Sequence, residues 1–423
     1  MNNNCVILLT NYYPFYKGEE YLESEIHHLS RNFKHIYIVP TMVSSKMDQT
    51  RELPKNAIVL KVGIDHSIQG KVRMVFNQFK KVYRDKSKRQ MISKDSKGKL
   101  KSLLYCYYFE SRAMDVYSHL EKELKKQDFN QYHNITIYSY WLYITARVGI
   151  EIRKRFFKNR DLKTVSRAHR YDLYEADAPL KYLPQREYLL SNLDAIYPCS
   201  QDGVNALKQT YPKYKNKIEV ERLGTISTNV FGKTTKEKLY IVSCSVMRKV
   251  KRLDSLVEVL CELEKRNIPF LWTHIGGGPE FSKIKKLAEN KLNSNNYHLT
   301  GSLSNKDVLN WYKTNPSTVF VNLSSSEGVP VAIMEAMSMK LPVIATDVGG
   351  TREIVKSRKN GYLVNKEFQV SEVVQHLEQI YGGTKEEYSA MCEEAFELWN
   401  KYSNAEVLYS QFVAKLTKKS LCV

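Results

Sequence analysis

Two doubly wound α/β domains are what this sequence predicts, and three observations carry the prediction. Short β-branched, apolar runs alternate with helix-length segments from one end of the chain to the other, the pattern of a parallel sheet covered on both faces. At 423 residues the chain is long for a single hydrophobic core. Between Thr225 and Lys238 the sequence turns polar, rich in Thr and Lys and without periodicity, which sets a domain boundary there. The expected division is 1–224, a linker 225–238, a second domain 239–395 and a terminal segment 396–423.

In the first domain, Cys5 to Leu9 is a strand that ends in the loop TNYYPFYKGEEYLE, ahead of a helix from about Tyr21 to Arg31. Gly18 lies just before that helix, where a bare backbone lets a phosphate or sugar approach closely. Further strands follow at His35 to Pro40 and Ala57 to Leu60, then a basic insertion over about 62–104 and a helix around Tyr105 to Lys125. Ile135 to Ser139, Thr164 to Ala168 and Ala195 to Ser200 complete the strands, with the aromatic segment YWLYITARVGIEIRKRF opening a helix after the first of them. His169, Arg170, Tyr171 and Asp172 fall at a strand's carboxyl end, which favours a functional His169 over a merely structural one.

The second domain opens with the strand Leu239 to Ser245, then VMRKVKRLDSLVEVLCEL, a loop and helix. Phe270 to Ile275 is a strand ending in GGGPE, and Asn296 to Thr300 precedes Gly301. The stretch from Thr318 to Val355 is the most informative. Thr318 to Leu323 is a buried strand, Ser324 to Gly328 a small polar loop, and Pro330 the expected first residue of a helix running to about Met339. Lys340 to Pro342 break that helix before the strand Val343 to Thr346 and the Gly349-Gly350 turn. Glu327 and Glu335 mark the mouth of this βαβ unit, about 80° apart by ideal helix geometry, with the amides of Gly328, Val329 and Val331 between them. Amides at a helix start favour a phosphate and carboxylates accept from hydroxyls, so a ligand with phosphate in the middle and hydroxyls at both ends fits: a nucleotide sugar.

These residues, EGVPVAIMEAM with VIATDVGGTREIV and NGYLV after it, resemble the donor site of the retaining family 4 glycosyltransferases. The resemblance implies the GT-B fold: two Rossmann-like, doubly wound domains facing each other across a cleft, with a C-terminal helix crossing back to the first. It also implies that Glu327 contacts the transferred sugar and Glu335 the ribose hydroxyls, with retention of anomeric configuration. The run SRAHRYDLYE resembles the acceptor-domain segment of bacterial polysaccharide transferases in that family, where a histidine sits over the anomeric carbon, the place His169 would take. Lys251 and Arg252, with Arg248 close by, are the cations expected to grip the diphosphate. The family often has an arginine five residues before that lysine, where this chain has Val246, so Arg248 or Arg252 would carry that charge. It also commonly has a glycine pair where this chain has Lys17-Gly18. No aspartate-rich metal motif accompanies the donor site, and neither a metal nor another cofactor is expected.

The formal charge of +20 calls for a polyanionic partner, whether nucleic acid, anionic lipid or substrate. Basic residues concentrate in 71–101, and KVRMVFNQFKKVYR sets Val72, Val75, Phe76, Phe79 and Tyr83 at helical spacing with the cations on the other side. Such a helix suits an anionic membrane surface, and it equally suits packing on its own domain with its charges solvated. No apolar run is long enough to span a bilayer, the amino terminus lacks a basic n-region, and the seven scattered cysteines fit reduced thiols, which together point to the cytoplasm. The expected activity is sugar transfer from a nucleotide-diphosphate donor to a glycan or lipid-linked acceptor, in the building of a capsular, exo- or lipopolysaccharide. A sugar-nucleotide epimerase on a related fold is the alternative, and a basic nucleic-acid-binding protein a third that no nucleic-acid module supports.

Overall fold

The computed structural model describes residues 3–16, 18–65, 67–226 and 231–417, with the side chains of 71, 73, 75 and 179 left aside. The chain forms two compact units, one of Met1–Arg222 with Tyr409–Val423, the other of Leu223–Leu408.

Six parallel strands make the first sheet: β1 (Asn4–Thr10), β2 (His35–Pro40), β3 (Ala57–Val59), β4 (Asn134–Ser139), β5 (Lys163–Ala168) and β6 (Ala195–Pro198). Their order is β3-β2-β1-β4-β5-β6, so the winding reverses between β1 and β4. All seven residues of β1 are buried, as a central strand covered on both faces requires. Alternate residues face opposite ways. Cys5, Ile7 and Leu9 join Ile135 and Ile137 against Cys106, Ala113, Val116 and Leu120 of the helix Leu100–Leu124. Val6 and Leu8 join Ile36 and Ile38 against Leu22, Ile26 and Leu29 of the helix Leu22–Asn32, and against Phe412, Val413 and Leu416 of the last helix, Ala405–Thr417.

The second unit repeats the plan with β7 (Leu239–Cys244), β8 (Phe270–Ile275), β9 (Tyr297–Leu299), β10 (Val319–Asn322), β11 (Val343–Thr346) and β12 (Gly361–Val364), ordered β12-β11-β10-β7-β8-β9. Here the winding reverses between β7 and β10. One face packs Leu239, Ile241, Val319, Val321 and Ile344 on Leu256, Val257 and Leu260 of the helix Leu253–Lys265 and on Val373, Val374 and Leu377 of Val370–Gly382.

Two expectations need correction, and one open alternative is narrowed. The segment 225–238 is no free linker, because Thr225 pairs with Asn404 and Thr234 with Ser317, which ties its described part into the second unit. The helix Lys385–Tyr402 likewise stays with the second unit, held by the indole N–H of Trp399 on Thr225 Oγ1 at 2.8 Å, and only the chain from Tyr409 onward belongs with the first. The insertion forms two helices, Ile68–Arg84 and Lys86–Ser96, and of the two placements left open for the first, packing of its whole apolar side on its own domain is not what the structure shows. Gly70, Met74, Gln78 and Val82 are its buried residues among those described, while Val72, Phe76 and Tyr83 are exposed; Phe79 is partly buried, and Val75 lies outside the described side chains. Lys88 explains part of this, because the second helix docks through it: its ammonium reaches Glu110 at 2.8 Å, and Arg147 grips the same carboxylate through two bonds at 2.7 and 2.8 Å. Those cations hold the Glu110 carboxyl down to about 2 against the burial that would raise it.

Candidate active site

Ligands of doubly wound sheets bind outside the strand ends where the winding reverses. In the second unit that point lies between the loops that follow β7 and β10, and a single ion pair joins them. Lys251 Nζ stands 2.7 Å from Glu327 Oε1, and the amide of Ser325 donates to the carbonyl of Val250 at 2.8 Å. The pair is partly buried, with the Lys251 and Glu327 side chains 25% and 10% exposed. Asn322, the last residue of β10, donates from Nδ2 to Glu327 Oε1 at 3.2 Å, while its own Oδ1 accepts from Ser324 Oγ at 2.5 Å. The carboxylate is therefore aimed by the strand end itself, a role the sequence did not reveal.

Pro330 is the residue before the helix and not its first turn, because its ψ of 98° is extended; the helix is Val331–Ser338. The amides of Gly328, Val329 and Val331 hydrogen-bond to nothing among the described residues, while those of Ile333 and Met334 are taken by the Pro330 carbonyl. Two unbonded loop amides and one at the helix start thus lie beside a carboxylate and an ammonium. The turn after β11 braces this loop: Gly350 N donates to Gly328 O at 2.9 Å, and Thr346 Oγ1 to Ser324 O at 2.5 Å. Gly349 has a φ of +54°, and a Cβ there would come within 2.0 Å of the Glu327 carbonyl.

Glu335, on the same helix, is 6% exposed and accepts from Asn305 Nδ2 at 2.5 Å. Burial pushes its carboxyl up to about 7, against which the Asn305 bond works. The Cys244 thiol, at the end of β7, is raised to about 12 by burial and senses both Glu335 and Lys251. Tyr312 carries a buried hydroxyl without a hydrogen-bond partner among the described residues, and burial, with Cys244 and Glu335 nearby, raises it well above its ordinary value. The glycine run after β8 closes in from the other side. Gly276 N donates to Gly301 O at 2.9 Å and Met247 N to Gly277 O at 2.7 Å; a Cβ on Gly276 would meet Ser245 O at 1.9 Å, and one on Gly278 would meet Met247 N and O at 2.8 Å. Those glycines thus serve loop-to-loop packing around residues 245–247.

The other expected cations divide. Arg252 has a φ of +47°, and its guanidinium goes to the carbonyl of Lys366 at 2.7 Å and over the Phe368 ring at 5.3 Å, so it secures the loop after β12. The Arg248 side chain is exposed and has no partner among the described residues. Val246, where the resemblance calls for an arginine, is 54% exposed.

The first unit has its own reversal point, between the loops after β1 and β4, and again a glutamate spans it. Glu19 accepts from the amides of Asn11, Tyr12 and Tyr13 at 2.7 to 2.9 Å and from the Trp141 indole at 2.7 Å. Gly18 has a φ of +94° and open space about its Cα, but its N–H is spent on the Glu20 carboxylate at 2.6 Å; Lys17 lies outside the described residues. His169 stands at the end of β5 with both ring nitrogens engaged, Nε2 on the Tyr140 carbonyl at 2.9 Å and Nδ1 on Cys199 Sγ at 3.3 Å. Its ring lies 4.6 Å from those of Tyr140 and Trp141. Burial, aided by Arg167, depresses it to about 3, so the imidazole is neutral and suited to packing or a neutral hydrogen bond more than to taking up a proton. Asp172 clamps the loops after β4 and β5, accepting from Leu142 N at 2.5 Å and His169 N at 2.6 Å.

Among the described residues no group of three or more His, Cys, Asp or Glu side chains converges on a metal position, and the described cysteines are free.

Residues 227–397 match the family model described as "Glycosyl transferases group 1". The putative colanic acid biosynthesis glycosyltransferase WcaL of Escherichia coli is 26% identical over 204 residues, 46% of this chain and 50% of that protein. The chain thus spans about half the length of this curated relative. Among solved structures, Anabaena HepE in complex with UDP aligns with 99% of this chain and all of its own at a TM-score of 0.63 and 13% identity. The sucrose-phosphate synthase of Thermosynechococcus elongatus aligns with 97% of this chain and 98% of its own at 0.70 and 13%. Together with the two six-stranded sheets, the structural matches show that the chain has the GT-B architecture, and within its second unit residues 227–397 are similar to the group 1 glycosyl transferases.

Proposed function

We propose that this protein transfers a sugar from a nucleotide-diphosphate donor to a glycan or lipid-linked glycan, with retention of anomeric configuration, in bacterial polysaccharide assembly. The observation that carries the reading is the Lys251–Glu327 pair at the reversal point of the second sheet, beside the unbonded amides of Gly328, Val329 and Val331. Breaking the bond between an anomeric carbon and a diphosphate builds negative charge on the leaving oxygens. Lys251 and those amides supply fixed positive charge there, which stabilises the transition state more than the bound donor. Glu327 holds the lysine in place and offers an acceptor to sugar hydroxyls, and Glu335 does the same for a ribose. A glycosidase needs its two carboxyls on opposed sides of the scissile bond, whereas these belong to one loop and helix.

Retention rests on the resemblance of this segment to family 4. Independence of divalent metal rests on Lys251 and the unbonded amides of Gly328, Val329 and Val331, which would offset the charge of the diphosphate. HepE was solved with UDP, which supports a nucleotide donor here. Among the described residues no helix is long and apolar enough to cross a membrane, and the basic insertion supports work at an anionic membrane face, which we assign to the cytoplasmic side.

The test is transfer of labelled sugar from a panel of nucleotide sugars, with the anomeric configuration of the product read by NMR and chelator present in parallel. The expected result is metal-independent, retaining transfer that Lys251→Ala slows and Glu335→Ala weakens at the level of nucleotide binding. Turnover of donor without acceptor would replace this reading with an epimerase, and chelator-sensitive transfer restored by Mg²⁺ would sink the metal-free part.

A further inference from the structure

The insertion that gives the first unit its charge also presents apolar side chains to solvent. On the helix Ile68–Arg84, Ile68 is 82% exposed, Phe76 74%, Tyr83 52% and Val72 49%. At about 100° per residue these four fall within an arc of roughly 80° and run along about 22 Å of helix. The face that packs on the protein, Met74, Gln78 and Val82, lies on a different arc. A second exposed set at i, i+4, i+8 spacing, Leu100, Leu104 and Tyr108, follows on the helix Leu100–Leu124, and the ring of Tyr107 beside it lies 6.3 Å from Tyr83.

Charge surrounds these residues. From Lys71 to Lys101 there are twelve Lys and Arg against Asp85 and Asp95, a net of +10 and half the charge of the chain. Both aspartates are spent internally, Asp85 capping the helix Lys86–Ser96 and Asp95 accepting from Gln185 N and the Tyr182 hydroxyl. Lys80, Lys81, Arg84, Lys97, Lys99 and Lys101 are exposed and form no ion pair among the described residues.

We propose that this helix lies in the interface of an anionic lipid bilayer, with Ile68, Val72, Phe76 and Tyr83 below the headgroups and the surrounding lysines among them. The proposal deepens the membrane part of the function given above. A bilayer surface supplies apolar depth and negative charge in one plane, the combination this face displays; a nucleic acid supplies charge alone and leaves the isoleucine and phenylalanine in water.

The experiment is co-sedimentation of the full chain with vesicles of phosphatidylglycerol mixed equally with phosphatidylcholine, and with phosphatidylcholine alone. Ile68→Ser, Val72→Ser and Phe76→Ser are combined in one variant, and Lys80→Glu and Lys81→Glu in a second. All five side chains are exposed, so both variants should melt like the wild type. The expected result is salt-sensitive wild-type binding to the anionic vesicles only, weakened about tenfold or more in each variant. Wild-type protein that stays in the supernatant overturns the proposal, as does a serine variant that binds undiminished. Light scattering that shows the serine variant turning a dimer into a monomer assigns the face to a second copy of the chain and also overturns it. Thermal protection by nucleotide sugars is measured on the same preparations. Protection without vesicle binding defeats the docking proposal alone, and vesicle binding without protection defeats the transferase reading alone.

Discussion

Glu335 carries a carboxyl that burial pushes up to about 7, with the Asn305 amide as its donor. Since this lies above the ordinary 4.5, the folded protein holds the proton more tightly than the unfolded chain does. The stability it contributes is full below pH 4.5 and is lost as pH rises through 7, a span worth about 3 kcal/mol. Glu335→Gln should therefore raise the melting temperature of the ligand-free protein at pH 8 by roughly 5 to 10 °C and leave it unchanged near pH 4, as differential scanning calorimetry would show. Nucleotide affinity should move the other way, rising between about pH 6 and 8 as the carboxylate that accepts ribose hydroxyls forms. Lys251 makes the second residue-scale prediction. Lys251→Ala should lower kcat about 10²- to 10³-fold with a much smaller change in the donor KM, because charge on the leaving diphosphate develops mainly in the transition state. A fall in affinity alone, with kcat intact, would make Lys251 a binding residue only.

Loops, more than single side chains, hold the site's shape, and glycines let them touch. Gly349→Ala forces a Cβ to within 2.0 Å of the Glu327 carbonyl at a φ of +54°, so it should cost about 2 to 4 kcal/mol and disturb the loop that carries Glu327. Gly301→Ala, at a φ of +73° but with nothing within 4 Å, should cost only about 1 kcal/mol. Chemical denaturation of the two variants, with nucleotide titration alongside, checks the contrast. The strands on which these loops sit were legible because a buried parallel strand needs an unbroken apolar run, as in Cys5 to Leu9 and Val343 to Thr346. Glu327 and Glu335 were legible because strand, polar loop and helix follow one another in sequence. What Glu19 does was not, since its fourth donor, Trp141, is 122 residues away. Nor was the outward face of the helix Ile68–Arg84. Apolar residues at helical spacing reveal that a helix has an apolar side but not what that side meets, and here Met74, Gln78 and Val82 took the protein while Phe76 was left to solvent.

At the scale of the molecule, each unit carries its own sheet, reversal point and core, and the last helix gives the first unit residues from the far end of the chain. Phe412, Val413 and Leu416 are essentially fully buried against β1 and its neighbours, and Arg167 lies 4.0 Å over the Phe412 ring. Arg167 is itself fully buried and bound to Glu25 at 3.1 Å and to the Tyr138 hydroxyl at 2.7 Å, so that ring is one wall of a buried charged network. Ending the chain after Leu408 removes Phe412, Val413 and Leu416, worth about 1.5 to 3 kcal/mol each, together with the fully buried Tyr409, and it opens the network to water. A loss of about 5 to 9 kcal/mol is comparable with the whole stability of a domain, so the first unit should unfold while the second keeps its core. Calorimetry of the truncated chain should then show one cooperative transition, and that transition should still rise on adding nucleotide sugar, because Glu327, Lys251 and Glu335 all lie in the unit left intact. If both units melted together in the shortened chain, the two cores would be energetically one, and the terminal helix would be holding up more than the sheet it touches.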